Sequence, residues 1–135
     1  MALLAWNTKF SVGVRSLDDQ HSVLFEALNE LHSAIMKGRA RAVIGQLLHD
    51  LVAYIRDHFR AEEATLSLTK YPALAQHLTK HHDLTEQIKG YVERFDRGEI
   101  ALSFHLLNFL GGWLTNHIQM EDHQYTLWLN NHGVS

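Results

Sequence analysis

Cysteine is absent from the 135 residues. That zero excludes disulfides, iron–sulfur clusters and thiol chemistry together, and it is compatible with a reducing compartment. Proline is almost absent: Pro72 stands alone in TKYPAL, where it suits the first turn of a helix because its missing N–H costs nothing there. There is no basic excess. The net charge is −3, so no positive field exists to hold nucleic acid or an anionic membrane. Long apolar runs are missing too, and none approaches the ~20 residues of a membrane span. The start, MALLAWNTKF, is interrupted by Asn7 and Lys9 before it reaches the length of a signal peptide, and no basic stretch precedes it. A cytoplasmic protein is expected. Strand alternation, low-complexity tracts and solenoid repeats do not occur either.

Histidine is what the chain has in excess, with 11 residues against 12 Lys plus Arg. HLTKHHDL, residues 77–84, holds three of them. Histidine is only a middling helix former, so its concentration in helical sequence calls for a reason.

Gly38, Gly98 and the Pro72 region divide the chain into an arm of about residues 1–17 and four segments of about 18–37, 41–68, 72–96 and 100–130. Apolar residues recur at spacings of three and four in each: Phe25, Leu28, Leu31 and Ile35; Leu47, Leu48, Leu51, Tyr54 and Ile55; Leu74, Leu78, Leu84, Ile88, Val92 and Phe95; Leu106, Phe109, Leu110, Trp113, Leu114 and Leu127. This is the period of amphipathic helices. Short links between them favour antiparallel neighbours. The expected fold is all-α: one domain over 1–135, an up-down-up-down antiparallel four-helix bundle. The arm, with Trp6, Phe10, Val12 and Val14, is too apolar to float in solvent and is expected to pack across the bundle.

Placed on these helices, the histidines form a pattern. His77 and His81 are four apart, about 40° around the axis and ~6 Å along it, so both imidazoles can reach one ion. His58 and Glu62 repeat the spacing in HFRAEE. His117 lies near Glu121 and Asp122 in NHIQMED, and DDQH supplies His21. A lone histidine on a helix is usually a surface residue, and one HxxxH pair occurs by chance. His82, His32, His49, His105, His123 and His132 are read in that way, as solvent residues. Nitrogen ligands on all four helices are harder to attribute to chance, because bundle cofactor sites are built from side chains converging on the core. Imidazoles and carboxylates without thiolate suit iron, zinc, copper or manganese. Seven ligands exceed the four of a closed zinc site and suffice for two ions bridged by carboxylates. Spacing alone would select Glu121, four residues after His117, over Asp122 at five.

These residues resemble the hemerythrin family, in particular its single-domain bacterial members, the bacteriohemerythrins. The likeness covers nearly the whole chain through W…VGV…LDDQH, HFRAEE, YPALAQHLTKHHDL and WLTNHIQMEDHQY. It implies a non-haem di-iron centre of two iron ions with an oxo or hydroxo bridge. His77, His81 and His117 would bind one iron. His21 and His58 would bind the other, whose open position takes O2, with azide or nitric oxide as analogues. Glu62 and Asp122 would bridge the pair. The resemblance thus selects Asp122 over Glu121, and a widened helical turn or side-chain reach would have to bring it inward. Where the family usually has methionine, in EExxM, this chain has Leu66, on the face of Glu62 and placed to line the O2 pocket. Gly111 and Gly112 in FLGGWL suggest close helix packing in preference to a small-molecule channel.

The function implied is reversible O2 binding, for transport, storage or sensing, and not catalysis. The alternatives are a di-iron redox enzyme, with oxidase, peroxidase or nitric-oxide chemistry, and an iron store. Ferritin-like di-iron sites carry Glu-x-x-His on two helices. No glutamate in this chain is followed three residues later by histidine.

Overall fold

The computed structural model describes residues 4–99 and 104–135, with the backbone alone for residues 104–106. Its helices are α1 (Arg15–Met36), α2 (Arg41–Leu68), α3 (Leu74–Asp96), α4 (Phe104–Met120) and a short α5 (Thr126–Asn131), with 3-10 turns at Thr8–Phe10 and Asp122–Tyr125. No strand occurs among the described residues. α1 packs against α2 and α4, and α2 against α3. The architecture is the all-α bundle with an arm laid across it.

Each helix follows its apolar stripe. On α1 the buried positions are Leu17, His21, Leu24, Phe25, Leu28, Leu31 and Ala34. On α2 they are Leu48, Leu51, His58, Phe59, Glu62 and Leu66. On α3 they include His77, His81, Leu84, Ile88 and Phe95. The polar groups therefore occupy the same faces that build the core. Three expected core residues point outward: Tyr54, Leu78 and Leu127 are 48%, 38% and 72% exposed. Leu78 sits about 100° from His77, whose inward direction fixes the register of α3. Leu127 lies beyond a break in the fourth helix, which shifts the face it presents. Leu106 and His105 have side chains outside the described residues.

Two apolar clusters flank the polar layer. One combines arm residues Phe10, Val12 and Val14 with Leu24, Phe25, Leu66, Leu114, Ile118, Tyr125 and Leu129. The other holds Leu28, Leu48, Leu51, Phe59, Leu84, Ile88, Phe95 and Leu110. Burying each large side chain contributes about 1.5–3 kcal/mol, which supports the cost of a buried polar layer between them. The arm is held by polar contacts as well. Asp18 accepts from the Val12 N–H at 2.7 Å and the Ser11 hydroxyl at 2.6 Å, and Asn29 pairs with both backbone groups of Leu4. Close packing does not require glycine at Gly111 or Gly112: a Cβ at Gly111 would meet Leu28 and Leu4 at 3.6 and 3.7 Å, ordinary contact distances, and Gly112 faces open space.

The helix bounds differ in detail from the sequence reading. α1 begins at Arg15, because Val14 is already buried and the turn at Gly13 precedes it. Pro72 lies in the turn before α3 and not in its first turn, since α3 begins at Leu74. The segment expected as one helix to residue 130 is divided. α4 ends at Met120, and Asp122–Tyr125 winds as a 3-10 turn before α5.

Candidate metal centre

The sequence places His21 on α1, His58 and Glu62 on α2, His77 and His81 on α3, and His117 on α4. All are between 0% and 4% exposed, as is Asp122 in the turn after α4. A buried charge is costly unless paired, and here the pairing is mutual. Glu62 Oε1 faces His77 Nε2 at 2.5 Å and His81 Nε2 at 3.1 Å. Its other oxygen, Oε2, faces His58 Nε2 at 3.2 Å and His21 Nε2 at 3.5 Å. Asp122 repeats the division: Oδ1 lies 2.9 Å from His77 Nε2 and 3.0 Å from His117 Nε2, while Oδ2 lies 3.3 Å from His21 Nε2. Each carboxylate thus turns one oxygen toward the His77, His81 and His117 group, Glu62 to His77 and His81 and Asp122 to His77 and His117, and the other toward the His21 and His58 pair, Glu62 to both and Asp122 to His21.

The ligand-type atoms form two overlapping groups, each within 4.8 Å: Glu62, His77, His81, His117 and Asp122; and His21, His58, Glu62 and Asp122. The donor set fits a pair of cations on a specific ground. His21 Nδ1 and Nε2, His117 Nδ1 and both Asp122 oxygens are buried without a well-aligned hydrogen bond, although Asp122 lies 2.9–3.3 Å from three imidazole nitrogens. His81 Nε2 and His117 Nε2 face each other at 3.1 Å, an approach of two lone pairs unless a proton or cation lies between them. Unsatisfied buried polar groups each cost about 1–3 kcal/mol, so the cluster is poised for an electrophile.

Protons show the same demand. Burial by itself would lower His21 and His77, yet the Asp122 and Glu62 carboxylates outweigh it and raise them to about 9 and about 10. Burial dominates at His58, whose pKa is lowered. Burial also opposes ionisation of Glu62, but its histidine partners hold its pKa well below the usual carboxylate range. Asp122 is likewise depressed, against burial and the Glu62 charge, by His117, His21 and His77.

The approach of Asp122 has a local cause. α4 keeps its regular bond from Glu121 N–H to His117 C=O at 2.9 Å, and then Gln124 N–H bonds to Glu121 C=O in a 3-10 turn. The helix tightens after residue 121 and does not widen, so of the two routes expected for Asp122, a widened turn or side-chain reach, the widened turn is not the one used. Glu121 stays at the edge, 25% exposed, with Oε2 3.5 Å from His117 Nδ1.

Three supporting residues escaped the sequence reading. Gln20 Oε1 accepts from His58 Nδ1 at 2.6 Å, and Glu63 Oε2 accepts from His81 Nδ1 at 2.8 Å. Both bonds leave Nε2 free to face the centre. Tyr125 donates its hydroxyl to Glu62 Oε2 at 3.1 Å. The signal for Gln20 and Glu63 was adjacency to a ligand in DDQH and AEE; Tyr125 had none, because the 3-10 turn sets its direction. Among the other histidines, His82, His49, His123 and His132 are exposed, while His32 is half-buried and does not fit the solvent reading.

The model of the family described as Hemerythrin HHE cation binding domain matches residues 12–129. The chain belongs to the hemerythrin family. A bacteriohemerythrin of Stenotrophomonas maltophilia is 35% identical over 125 residues, covering 93% of this chain and 80% of the relative. One from Methylococcus capsulatus is 32% identical over 93% of this chain and 95% of its own. A myohemerythrin of Theromyzon tessulatum is 28% identical over 89% of this chain and 88% of its own. A solved wild-type hemerythrin structure superposes with a TM-score of 0.91 at 32% identity, covering 95% of this chain and 98% of that one. The hemerythrin assignment agrees with a polar layer made of histidines and two shared carboxylates.

Proposed function

We propose that this hemerythrin-family chain holds two iron ions and binds O2 reversibly. The observation that carries the reading is the division of Glu62 and Asp122: between them one oxygen of each covers His77, His81 and His117, and the other oxygen of each covers His21 and His58. His77, His81 and His117 would hold one ion and His21 and His58 the other, with Glu62 and Asp122 shared between them, so the second ion would have one histidine fewer. Imidazole with carboxylate suits iron as it suits zinc, copper or manganese, and membership of the hemerythrin family favours iron among them. A bound iron pair would supply an open coordination position and the two electrons that reversible O2 binding draws on.

The protein's own contribution is orientation and dryness. Gln20 and Glu63 fix the tautomers of His58 and His81. Tyr125 holds the Glu62 oxygen that faces His21 and His58. Leu24, Leu66 and Ile118 are 0–1% exposed in the cluster adjoining the site, and apolar walls keep water and stray protons away. No helix among the described residues is long and apolar enough to cross a membrane.

The test has two parts. Purified protein should contain two irons per chain, and the optical spectrum of the reduced protein should change on mixing with O2 and revert when O2 is removed. A single zinc per chain overturns the metal assignment. Two irons with an irreversible spectral change overturn the carrier reading.

A further inference from the structure

A continuous run of oxidisable rings leads from the candidate centre to the surface. Tyr125 is fully buried, and its hydroxyl reaches Glu62 Oε2. Its ring lies 5.7 Å from that of His77 and meets Tyr71 edge-on at 6.3 Å. Tyr71 meets Trp128, again at 6.3 Å. Trp128 is half-buried, donates its indole N–H to the Thr69 carbonyl at 3.1 Å, and stacks on exposed His132 at 4.2 Å. Packing explains why the rings touch, since Tyr125 and Tyr71 belong to a core cluster. It does not explain their identity. Phenylalanine would fill the same space without burying a phenol, which costs free energy unless its hydroxyl is bonded. Tyrosine and tryptophan differ from phenylalanine in two ways: they donate a hydrogen bond, as Tyr125 does to Glu62 and Trp128 to Thr69, and they give up an electron to a strong oxidant. The chain has no cysteine to do so instead.

We propose that Tyr125, Tyr71 and Trp128 form an electron relay that returns reducing equivalents to the metal centre after a hydroperoxide has oxidised it. The inference rests on the metal reading above. Tyrosine and tryptophan oxidise only at high potential, so the relay is silent during reversible O2 binding and works when a stronger oxidant has acted. The chemistry balances with a small thiol as the reductant. Hydrogen peroxide breaks its O–O bond, takes two electrons and two protons, and leaves as two waters. Each electron passes from Tyr125 to the centre and is replaced from Tyr71, then from Trp128, then from a thiol at the surface. Two thiols become one disulfide and supply the two electrons and two protons. Tyr125, Tyr71 and Trp128 are each oxidised and re-reduced in turn, so none of them gains or loses a proton overall.

A shorter route competes with this one. Trp113 is half-buried and stacks on His117 at 4.5 Å, but the next ring it meets is Phe59, which does not give up an electron, whereas Tyr125 leads on to Tyr71 and Trp128. The experiment treats the iron-loaded protein with hydrogen peroxide without reductant, then locates added oxygen by peptide mass mapping and radicals by electron paramagnetic resonance. Oxidation is expected to concentrate at Trp128 and to fall several-fold when a thiol is added. Tyr71→Phe keeps the ring, so with unchanged iron content it should lose most Trp128 oxidation and accumulate damage at Tyr125. Trp128→Phe should move the damage back to Tyr71. Equal Trp128 oxidation in Tyr71→Phe, or in metal-free protein, would mean attack from bulk solvent and overturns the relay. So does oxidation at Trp113 in place of Trp128, or no oxidised ring at all. These results with the metals retained leave the metal reading standing, whereas failure to take up metal overturns both.

Discussion

At the residue scale, position 122 carries the most weight. Both oxygens of Asp122 are buried and face three histidines in all, while Glu121 touches the site only through the outer nitrogen of His117. Asp122→Ala should therefore cost one of the two bound metals, read as metal content after dialysis, and Glu121→Ala should leave both. If Glu121→Ala lost a metal and Asp122→Ala did not, the bridging role would belong to the wrong residue. The partners of His58 and His81 make a second prediction. Removing an outer hydrogen bond to a metal-bound histidine typically weakens metal affinity by about 10–100-fold. Gln20→Leu and Glu63→Leu should each weaken binding to that extent in competition with a chelator, and unchanged affinity in both would reduce those bonds to packing. His58, Glu62, His77 and His81 were legible as candidates because spacings of four on a helix are a direct property of its geometry; His21 has no partner at that spacing and stood out through the family resemblance. Asp122 was legible only through family resemblance, since ideal helical geometry points to Glu121.

At the element scale, the helix ends show one recurrent device. After α1, the N–H of Arg39 reaches back to Ala34 C=O, with Gly38 in the left-handed region at φ 63°. The same closure ends α2, from Tyr71 N–H to Leu66 C=O at 2.9 Å, but there the left-handed residue is Lys70, with φ 57°. A side chain in that region costs about 1–2 kcal/mol relative to its right-handed conformation, and glycine avoids most of that cost, less its greater loss of entropy. Lys70 is exposed. Lys70→Gly should thus stabilise the fold by up to ~1 kcal/mol, measured by denaturant midpoint with the metal content held constant; a loss of stability would show that the lysine side chain contributes something the backbone does not. The sequence offered no sign of this cap, because it marks helix ends by glycine. The division of the fourth helix was invisible for a related reason. The residues around Met120 and Glu121 are ordinary helix formers, and the break arises from burying Asp122 and Tyr125 together, a tertiary demand that overrides local propensity. The four-helix pattern itself was readable because each stripe runs unbroken through the ligand positions, so His21, His58, His77 and His81 kept the period of the leucines around them.

At the scale of the whole molecule, metal loading and folding are linked through protons. In the metal-free chain His21 and His77 have pKa values of about 9 and about 10, against 6.5 for a free histidine. Both carry a proton at neutral pH, on groups that a metal would need unprotonated. Raised pKa values fix the sign of the dependence: the stability these two histidines add to the metal-free fold is fully present below about 6.5 and is lost as pH rises through 9 to 10. The depressed Glu62 and Asp122 act in the opposite sense, adding stability above the ordinary carboxylate range and losing it as pH falls toward their lowered pKa values. The metal-bound protein has no such protons to lose in the alkaline range, so loading should protect the fold most where the metal-free chain is weakening. Two measurements check this. Calorimetric titration of metal into the apo protein at neutral pH, in buffers of differing ionisation enthalpy, should show net proton release. The difference in melting temperature between loaded and metal-free protein should widen from pH 7 to pH 10. A metal uptake that releases no protons, with a difference that stays flat across that range, would mean that the buried histidines are neutral before the metal arrives and that the carboxylates do not hold protons in its place.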